Sequence, residues 1–317
     1  MARNLYRLVR AVKEVRSGAT CRQDKVALIF LVNPESDTHT AKTFAPTDLN
    51  CGCVRKIMPS LEESIRAETG LVPIHERSEN DFFFVGFPRS GHHWTQYLIA
   101  YFAMGLRPDI ATDDLVQHAV PDIYDRKWYR RFRDPMFFKS HELPQPDYRN
   151  VVYLVRDGRD AIVSYYHYQR TVGVKEPVYF NPFSPIFSSA PVFWEDHVAA
   201  WLQNPYAARM IIVKYEDLLA DTFGQVRKMC DFFGLERSDE VLKTAVEACA
   251  FSQLQAKEKR KEMVKTQWPE KSYFRRGQRG SYKDELPLHV LEEFERRAGH
   301  VLDKLGYPRA ASVAPAS

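Results

Sequence analysis

Four short apolar runs constrain this chain more than anything else in it: Phe82 to Gly86, Met136 to Phe138, Val151 to Val155 and Met210 to Val213. None alternates apolar with polar residues. Runs this short and unbroken fit strands buried on both faces, and hence a parallel sheet covered by helices. Helical stripes follow at least three of them. Trp94, Tyr97, Leu98, Tyr101 and Phe102 repeat on one helix face after the first run, and Asp160 to Tyr168 follows the third. Val226, Met229, Cys230 and Phe233 follow the fourth, closed by Gly234 as a stop. The expected fold class is therefore α/β, a single domain with a central parallel sheet flanked by helices. Ligands of such sheets sit beyond the carboxyl ends of the strands.

The first strand end reads Gly86-Phe87-Pro88-Arg89-Ser90-Gly91-His92-His93-Trp94. A strand, a glycine-bounded loop and a helix start make an anion cradle, with backbone amides and the positive end of the helix dipole aimed at the ligand. The Gly86 to Gly91 spacing is that of a nucleotide-binding P-loop. The lysine and hydroxyl that hold nucleotide and magnesium there are replaced by His92 and His93. A plain glycine turn explains this motif as well when it stands alone.

The other strand ends add to it. Lys139-Ser140-His141-Glu142 follows the second run. In an extended segment Lys139 and His141 project to one side, a fixed cation beside a titratable base, while Glu142 faces away. Arg156-Asp157-Gly158-Arg159-Asp160 ends the third run, with Ser164 on the helix behind it. Arg156 offers forked donors to a phosphate, against the plainer alternative of a helix-capping Arg–Asp cluster. Near the C-terminus, Arg275-Arg276-Gly277-Gln278-Arg279-Gly280 reads as a mobile basic loop closing over an anion, or as a solvated turn.

These pieces, in this order and with Tyr215-Glu216-Asp217 after the fourth run, resemble the sulfotransferases that use 3′-phosphoadenosine 5′-phosphosulfate (PAPS), of the soluble, cytosolic type. The resemblance runs from about residue 80 to about residue 305. It implies that Arg89, Ser90 and Gly91 hold the phosphosulfate, with His92 and His93 where the family usually has two threonines. It implies that Lys139-Ser140-His141 is the family's Lys-Thr-His segment, with His141 as general base and Lys139 and Arg89 as catalytic cations. It also implies that Arg156, Ser164 and Arg275-Arg276-Gly277 bind the 3′-phosphate. Trp94, Tyr215 and Phe251 would meet the adenine. PAPS is then the co-substrate, and no metal is required. The domain would span 81–308, after an extension over 1–80 packed on the core and before a flexible tail over 309–317. The family's short dimer motif is altered, since Pro287-Leu288 stand between Lys283 and Glu292; the oligomeric state stays open.

Composition narrows the rivals. Forty-four per cent apolar and 27% charged residues describe a globular chain and exclude disorder, collagen and coiled coil as overall descriptions. A net charge of +4 does not call for nucleic acid. Five cysteines, an odd number, do not build a disulfide framework; Cys51 and Cys53 read as ordinary thiols, and a reducing compartment is the default. No run approaches the roughly 18 apolar residues of a membrane span. The basic N-terminus has no apolar block behind it, and Leu5, Leu8, Val9 and Val12 read as one face of a packed helix, so the expected location is the cytoplasm. The aromatic stretch from Tyr168 to Trp201, with Tyr179, Phe180, Phe183, Phe187, Phe193 and Trp194, is expected to cover an acceptor pocket for a small molecule, lipid or carbohydrate.

The rivals are a P-loop phosphotransferase or NTPase, and a non-catalytic nucleotide- or RNA-binding module. The missing hydroxyl after Gly91 sets the first test. Sulfuryl turnover is expected to survive EDTA, and strict dependence on magnesium would transfer the chain to the phosphotransferases.

Overall fold

In a computed structural model, residues 61–184, 190–260 and 275–310 are described. The chain divides into two compact units, Met1–Ser64 and Ile65–Ser317. The second carries the sheet and the site. The N-terminal stripe, Cys51, Cys53, Phe187 and the end of the tail lie outside the described residues.

The four apolar runs form one parallel sheet. Its strands are β2 (Phe82–Val85), β4 (Phe137–Ser140), β5 (Asn150–Val155) and β6 (Arg209–Lys214), in the order β4-β2-β5-β6. Val85 pairs with Ser140 and Tyr153, and Val155 pairs with Lys214. This register brings the loops after all four strands to one edge of the sheet. The second strand begins and ends later than the Met136–Phe138 run, so Lys139 and Ser140 are its last two residues. A buried ion pair, described below, lets a lysine occupy a position where apolar residues were expected.

Both faces of the sheet are covered, which is why the runs do not alternate. Phe83, Val85, Phe138, Val151, Tyr153 and Val155 point to one core. There they meet Ala161 and Ile162 of α4 (Gly158–Thr171), Trp194 and Trp201 of α5 (Trp194–Gln203), and Phe294 and Val301 of α11 (Leu288–Lys304). Phe82, Phe84, Phe137, Val152, Leu154 and Val213 point to the other. They meet Leu98 and Phe102 of α2 (His92–Phe102), Val226 and Met229 of α7 (Thr222–Phe232), and Leu242 of α8 (Asp239–Ala248). Burying a side chain of this size contributes about 1.5–3 kcal/mol, so the two cores outweigh any surface interaction in holding the strand ends together.

The remaining helices are α1 (Leu61–Thr69), α3 (Asp113–Ala119), α6 (Tyr215–Ala220), α9 (Phe251–Lys259) and α10 (Tyr282–Glu285). A second sheet, not anticipated, pairs β1 (Leu71–Pro73) with β3 (Trp128–Arg130) in antiparallel fashion. Its strands have three residues each and no continuous apolar run, so they left no pattern to read.

Candidate active site

The loop after β2 passes closer to its neighbour than any side chain would allow. A Cβ on Gly86 would lie 2.1 Å from the carbonyl oxygen of Leu154 on β5. Further on, Arg89 has φ of +73° and Gly91 +101°, both in the left-handed region. For Arg89 this conformation costs about 1–3 kcal/mol. Its Nε donates to Ser164 Oγ (3.1 Å), and its guanidinium lies over the Tyr168 ring, 5.4 Å from the centroid. A Cβ on Gly91 would come 2.9 Å from Cδ2 of Tyr215. Helix α2 then starts at His92 with no side-chain cap and no acidic residue in its first turn, so its positive end is uncompensated by the chain.

These elements line one cavity of about 460 Å³ with Lys139, His141, Arg156, Ser164, Tyr215, Phe251, Arg275, Arg276 and Gly277. Arg89, Gly91, His92, His93 and Trp94 line it too. Ser90 is the exception among the residues singled out in the sequence: it is 1% exposed and does not line the cavity.

Lys139 is 2% exposed, and its Nζ donates to Asp122 Oδ2 at 2.6 Å. Asp122 forms a parallel bridge with Lys139, so backbone and ion pair reinforce each other. His141 lies just beyond. Its Nδ1 is 2.8 Å from the Gly86 carbonyl, which fixes the ring proton on Nδ1 and leaves Nε2 as the proton acceptor. Burial, and then the Lys139 ammonium, lower the His141 pKa to about 3, against a smaller opposing effect of Asp122. Behind it stands His197, which sequence reasoning missed. Its ring nitrogens meet the His141 carbonyl oxygen (3.2 Å) and the Tyr153 hydroxyl (3.0 Å), and burial lowers its pKa to about 4. Nothing in the sequence marks it beyond its place on an apolar helix. Glu142 is buried but does not line the cavity, and its carbonyl accepts from Trp201 Nε1 at 3.0 Å.

The Arg156–Asp160 cluster divides its labour. Arg156 donates to the carbonyls of Arg89 (3.3 Å) and Gln278 (3.2 Å) and lies over the Tyr215 ring, 4.5 Å from its centroid. Asp157 caps α4 and holds Arg159, which also reaches Glu295 (2.8 Å) and the Pro308 carbonyl (2.9 Å). Those two are structural. Asp160 was not singled out for a role, yet it accepts from the backbone N–H groups of Gly280 (2.6 Å) and Tyr282 (2.9 Å). Glu285 takes Arg275 at 2.8 Å, Arg276 at 3.0 Å and His167 at 2.6 Å. The basic loop expected to be mobile is therefore tied down over 275–281, because two acids supply what its amides and cations require. Glu216 is likewise structural, accepting from Asp157 N (3.0 Å) and the Tyr307 hydroxyl (2.8 Å).

The aromatic residues sort into two ends. Trp94 and Tyr215 meet edge to face with centroids 6.0 Å apart, and Phe251 packs on Gly277, where a Cβ would come 2.5 Å from the ring. The other end has Tyr124, Tyr165, Tyr168 and Phe183. Of the described aromatics expected to cover it from Tyr179 to Trp194, only Phe183 lines the cavity. Tyr179 stacks on Tyr166, Phe180 and Phe193 meet Arg297, and Trp194 is core, packed on Phe294. Length and aromatic content could not separate a lid from helix-packing residues. Among the described residues, no group of three or more His, Cys, Asp or Glu is placed to hold a metal ion.

A family profile described as "Sulfotransferase domain" matches residues 79–306. Curated relatives include flavonol 3-sulfotransferase of Flaveria bidentis, 26% identical over 72% of this chain and 83% of its own length. Sulfotransferase 2A6 of Rattus norvegicus is 24% identical over 69% of this chain and 83% of its own. Sulfotransferase 2B1 of Mus musculus is 25% identical over 56% of this chain, which spans 57% of that relative. In fold, the chain is similar to retinol dehydratase solved with androsterone and PAP (3′,5′-ADP), with a TM-score of 0.56 and 20% identity over 76% of this chain and 84% of that one.

Three histidines at this site are held neutral. The pKa of His92 falls well below its ordinary 6.5 through burial and then through the charges of His141 and Lys139, and those of His141 and His197 fall to about 3 and about 4. Below pH 6.5 the unfolded chain takes up protons on these residues that the folded chain refuses. Stability is therefore expected to decline as pH falls from about 6.5 toward 4, by up to about 1.4 kcal/mol per pH unit for each histidine. Urea melts across that range check it, and His197→Gln should flatten the slope by about one histidine's share.

Proposed function

This chain belongs to the sulfotransferase family, enzymes that move a sulfuryl group from PAPS to an acceptor, and we propose how its residues divide that work. The observation that carries the reading is a set of buried polar atoms without partners on one cation-lined cavity: both ring nitrogens of His92, Nε1 of Trp94 and Nε of Arg156. Buried polar groups are normally satisfied, so a cluster of exceptions marks the place of a polar ligand. A nucleotide carrying phosphate and sulfate fits these donors and the cations around them.

In this reading Arg156, Ser164, Arg275, Arg276 and the Gly277 turn hold the 3′-phosphate. Arg89, the Ser90 and Gly91 backbone, His92 and His93 hold the phosphosulfate, with Ser90 contributing main chain only. Trp94, Tyr215 and Phe251 hold the adenine. When bound, the donor supplies the sulfuryl group for in-line transfer. His141 accepts the proton of the acceptor hydroxyl or amine at Nε2. Lys139 and Arg89 stabilise the charge that develops on the equatorial and leaving oxygens of a loose transition state. Tyr124, Tyr165, Tyr168 and Phe183 receive the acceptor, a hydroxylated or amino small molecule, including a lipid alcohol or a carbohydrate, with an apolar face to lay on these rings. We assign the activity to residues 81–308, with 1–80 as an extension and 309–317 as a tail, and place it in the cytoplasm.

Calorimetric titration with PAP, ATP and RNA in EDTA tests the class, and PAP is expected to bind in preference to the others. Arg156→Ala should weaken PAP by the roughly 1.5–3 kcal/mol of a charged hydrogen bond and leave adenosine 5′-phosphosulfate, which lacks the 3′-phosphate, nearly unchanged. Equal weakening of both would remove Arg156 from the 3′-phosphate.

His141→Ala tests the base. It should lower kcat by roughly 10²–10⁴, the scale of a positioned base, with PAP affinity held within about twofold. Near wild-type kcat would pass the role to another residue.

A further inference from the structure

We propose that His92 is a second catalytic imidazole, a neutral hydrogen-bond donor to the sulfuryl group in transfer. The inference rests on the sulfuryl-transfer reading above and adds a role for a side chain that sequence alone placed only among the nucleotide contacts.

The position of the ring carries the argument. His92 is the first residue of α2, where a polar side chain ordinarily turns to solvent or caps the helix. Here it is 3% exposed, lines the cavity and has no hydrogen-bond partner at either nitrogen. Its ring centroid lies 4.2 Å from that of His141, at an interplanar angle of 60°. On the other side, its Cε1 would lie 3.0 Å from a Cβ on Gly86, so the loop backs the ring and limits its retreat. An acceptor must meet His141 to lose its proton. The sulfur it attacks therefore stands in front of His141, within reach of a ring 4.2 Å away.

The charges around the ring decide which way its hydrogen bond runs. The groups facing it are the ammonium of Lys139, the guanidinium of Arg89 and the imidazoles of His141 and His197, and with burial they keep it neutral. A neutral imidazole has one N–H and one lone pair. Beside Arg89 and Lys139, the latter already paired with Asp122, the favoured occupant is an anionic oxygen, which needs the N–H. His141 differs because its own N–H is committed to the Gly86 carbonyl, so it presents the lone pair. The two rings are thus complementary, one accepting and one donating.

The step balances without a proton leaving His92. His141 takes the acceptor's proton at Nε2 while sulfur exchanges its bond to the phosphate oxygen, which keeps the electron pair, for a bond to the acceptor oxygen. His92 keeps its proton and shortens its hydrogen bond as charge builds on the sulfuryl oxygens.

PAPS and PAP differ by the sulfuryl group alone, so the test compares them. Wild type, His92→Ala and His92→Gln are titrated with each nucleotide in EDTA. For His92→Ala, PAPS affinity is expected to fall about tenfold or more while PAP stays within about threefold; His92→Gln, which retains an N–H, recovers most of the loss. Equal weakening of both nucleotides, or none, overturns the proposal. A readout without variants is 15N NMR of histidine in the wild type: the His92 ring nitrogens should shift on adding PAPS and much less on adding PAP, and identical shifts overturn it. With 2-naphthol as acceptor, His92→Ala should lower kcat by roughly 10²-fold and leave its pH dependence in place. Loss of that dependence would make His92 the base instead. Wild type that binds neither nucleotide refutes the sulfuryl-transfer reading itself. Wild type that prefers PAPS and PAP to ATP, with a PAPS preference indifferent to His92, refutes only this inference.

Discussion

The contact between Gly86 and Leu154 is the constraint on which the site depends. Only a residue without a Cβ can leave β2 there, since the carbonyl oxygen of Leu154 occupies the space at 2.1 Å. The turn that follows does three things at once. It starts the loop that carries Arg89 and Gly91 to the head of α2. It lets the His92 ring approach the strand. It also presents the Gly86 carbonyl to His141, which sets that ring's tautomer. An alanine here would disturb the anion cradle and the proton acceptor together, because one backbone unit serves both.

The cations around the cavity differ in what compensates them, and that difference separates scaffold from site. Arg159 is neutralised by Asp157 and Glu295 and clamps α4 to the C-terminal segment. Arg156, three residues earlier, hydrogen-bonds only to carbonyl oxygens and an aromatic face. Asp160 and Glu216 feel its charge, and the residue lines the cavity. Arg275 and Arg276 fall between these cases, since they share one carboxylate, Glu285, which their charges and the hydrogen bond from His167 hold below its ordinary pKa despite burial. Two cations on one acid leave a net positive charge at this side of the cavity, while the acid fixes their position.

The sheet was legible because its runs are buried on both faces, and apolar continuity is a direct imprint of that burial. The cavity-facing residues at the strand ends were legible because a lysine, a histidine or an arginine directly after an apolar run stands out. Where the imprint was weaker, reading stopped short. Asp160, Glu285 and His197 act on residues 44 to 122 positions away in the chain or through a hub of several partners, and no local pattern ties them to those partners. Ser90 looked like its neighbours in a glycine loop, yet it is buried and does not line the cavity. The aromatics between Tyr179 and Trp194 carried the same composition whether they faced a ligand or another helix.

The basicity of His141 is set by its burial and by the charges beside it. Burial and the Lys139 ammonium hold its pKa near 3, and at that value it is a poor acceptor for an alcohol proton. In the proposed reading, a phosphosulfate held beside Lys139 and Arg89 would bring negative charge to the ring. Opposite charge nearby favours the protonated form, so donor binding would raise the His141 pKa. The acceptor's proton would then be taken up most readily once the group that the acceptor receives is in place. Asp122 offsets part of the lowering, since its carboxylate is paired with the Lys139 ammonium. The same carboxylate that makes a buried lysine tolerable therefore also moderates the lysine's effect on His141.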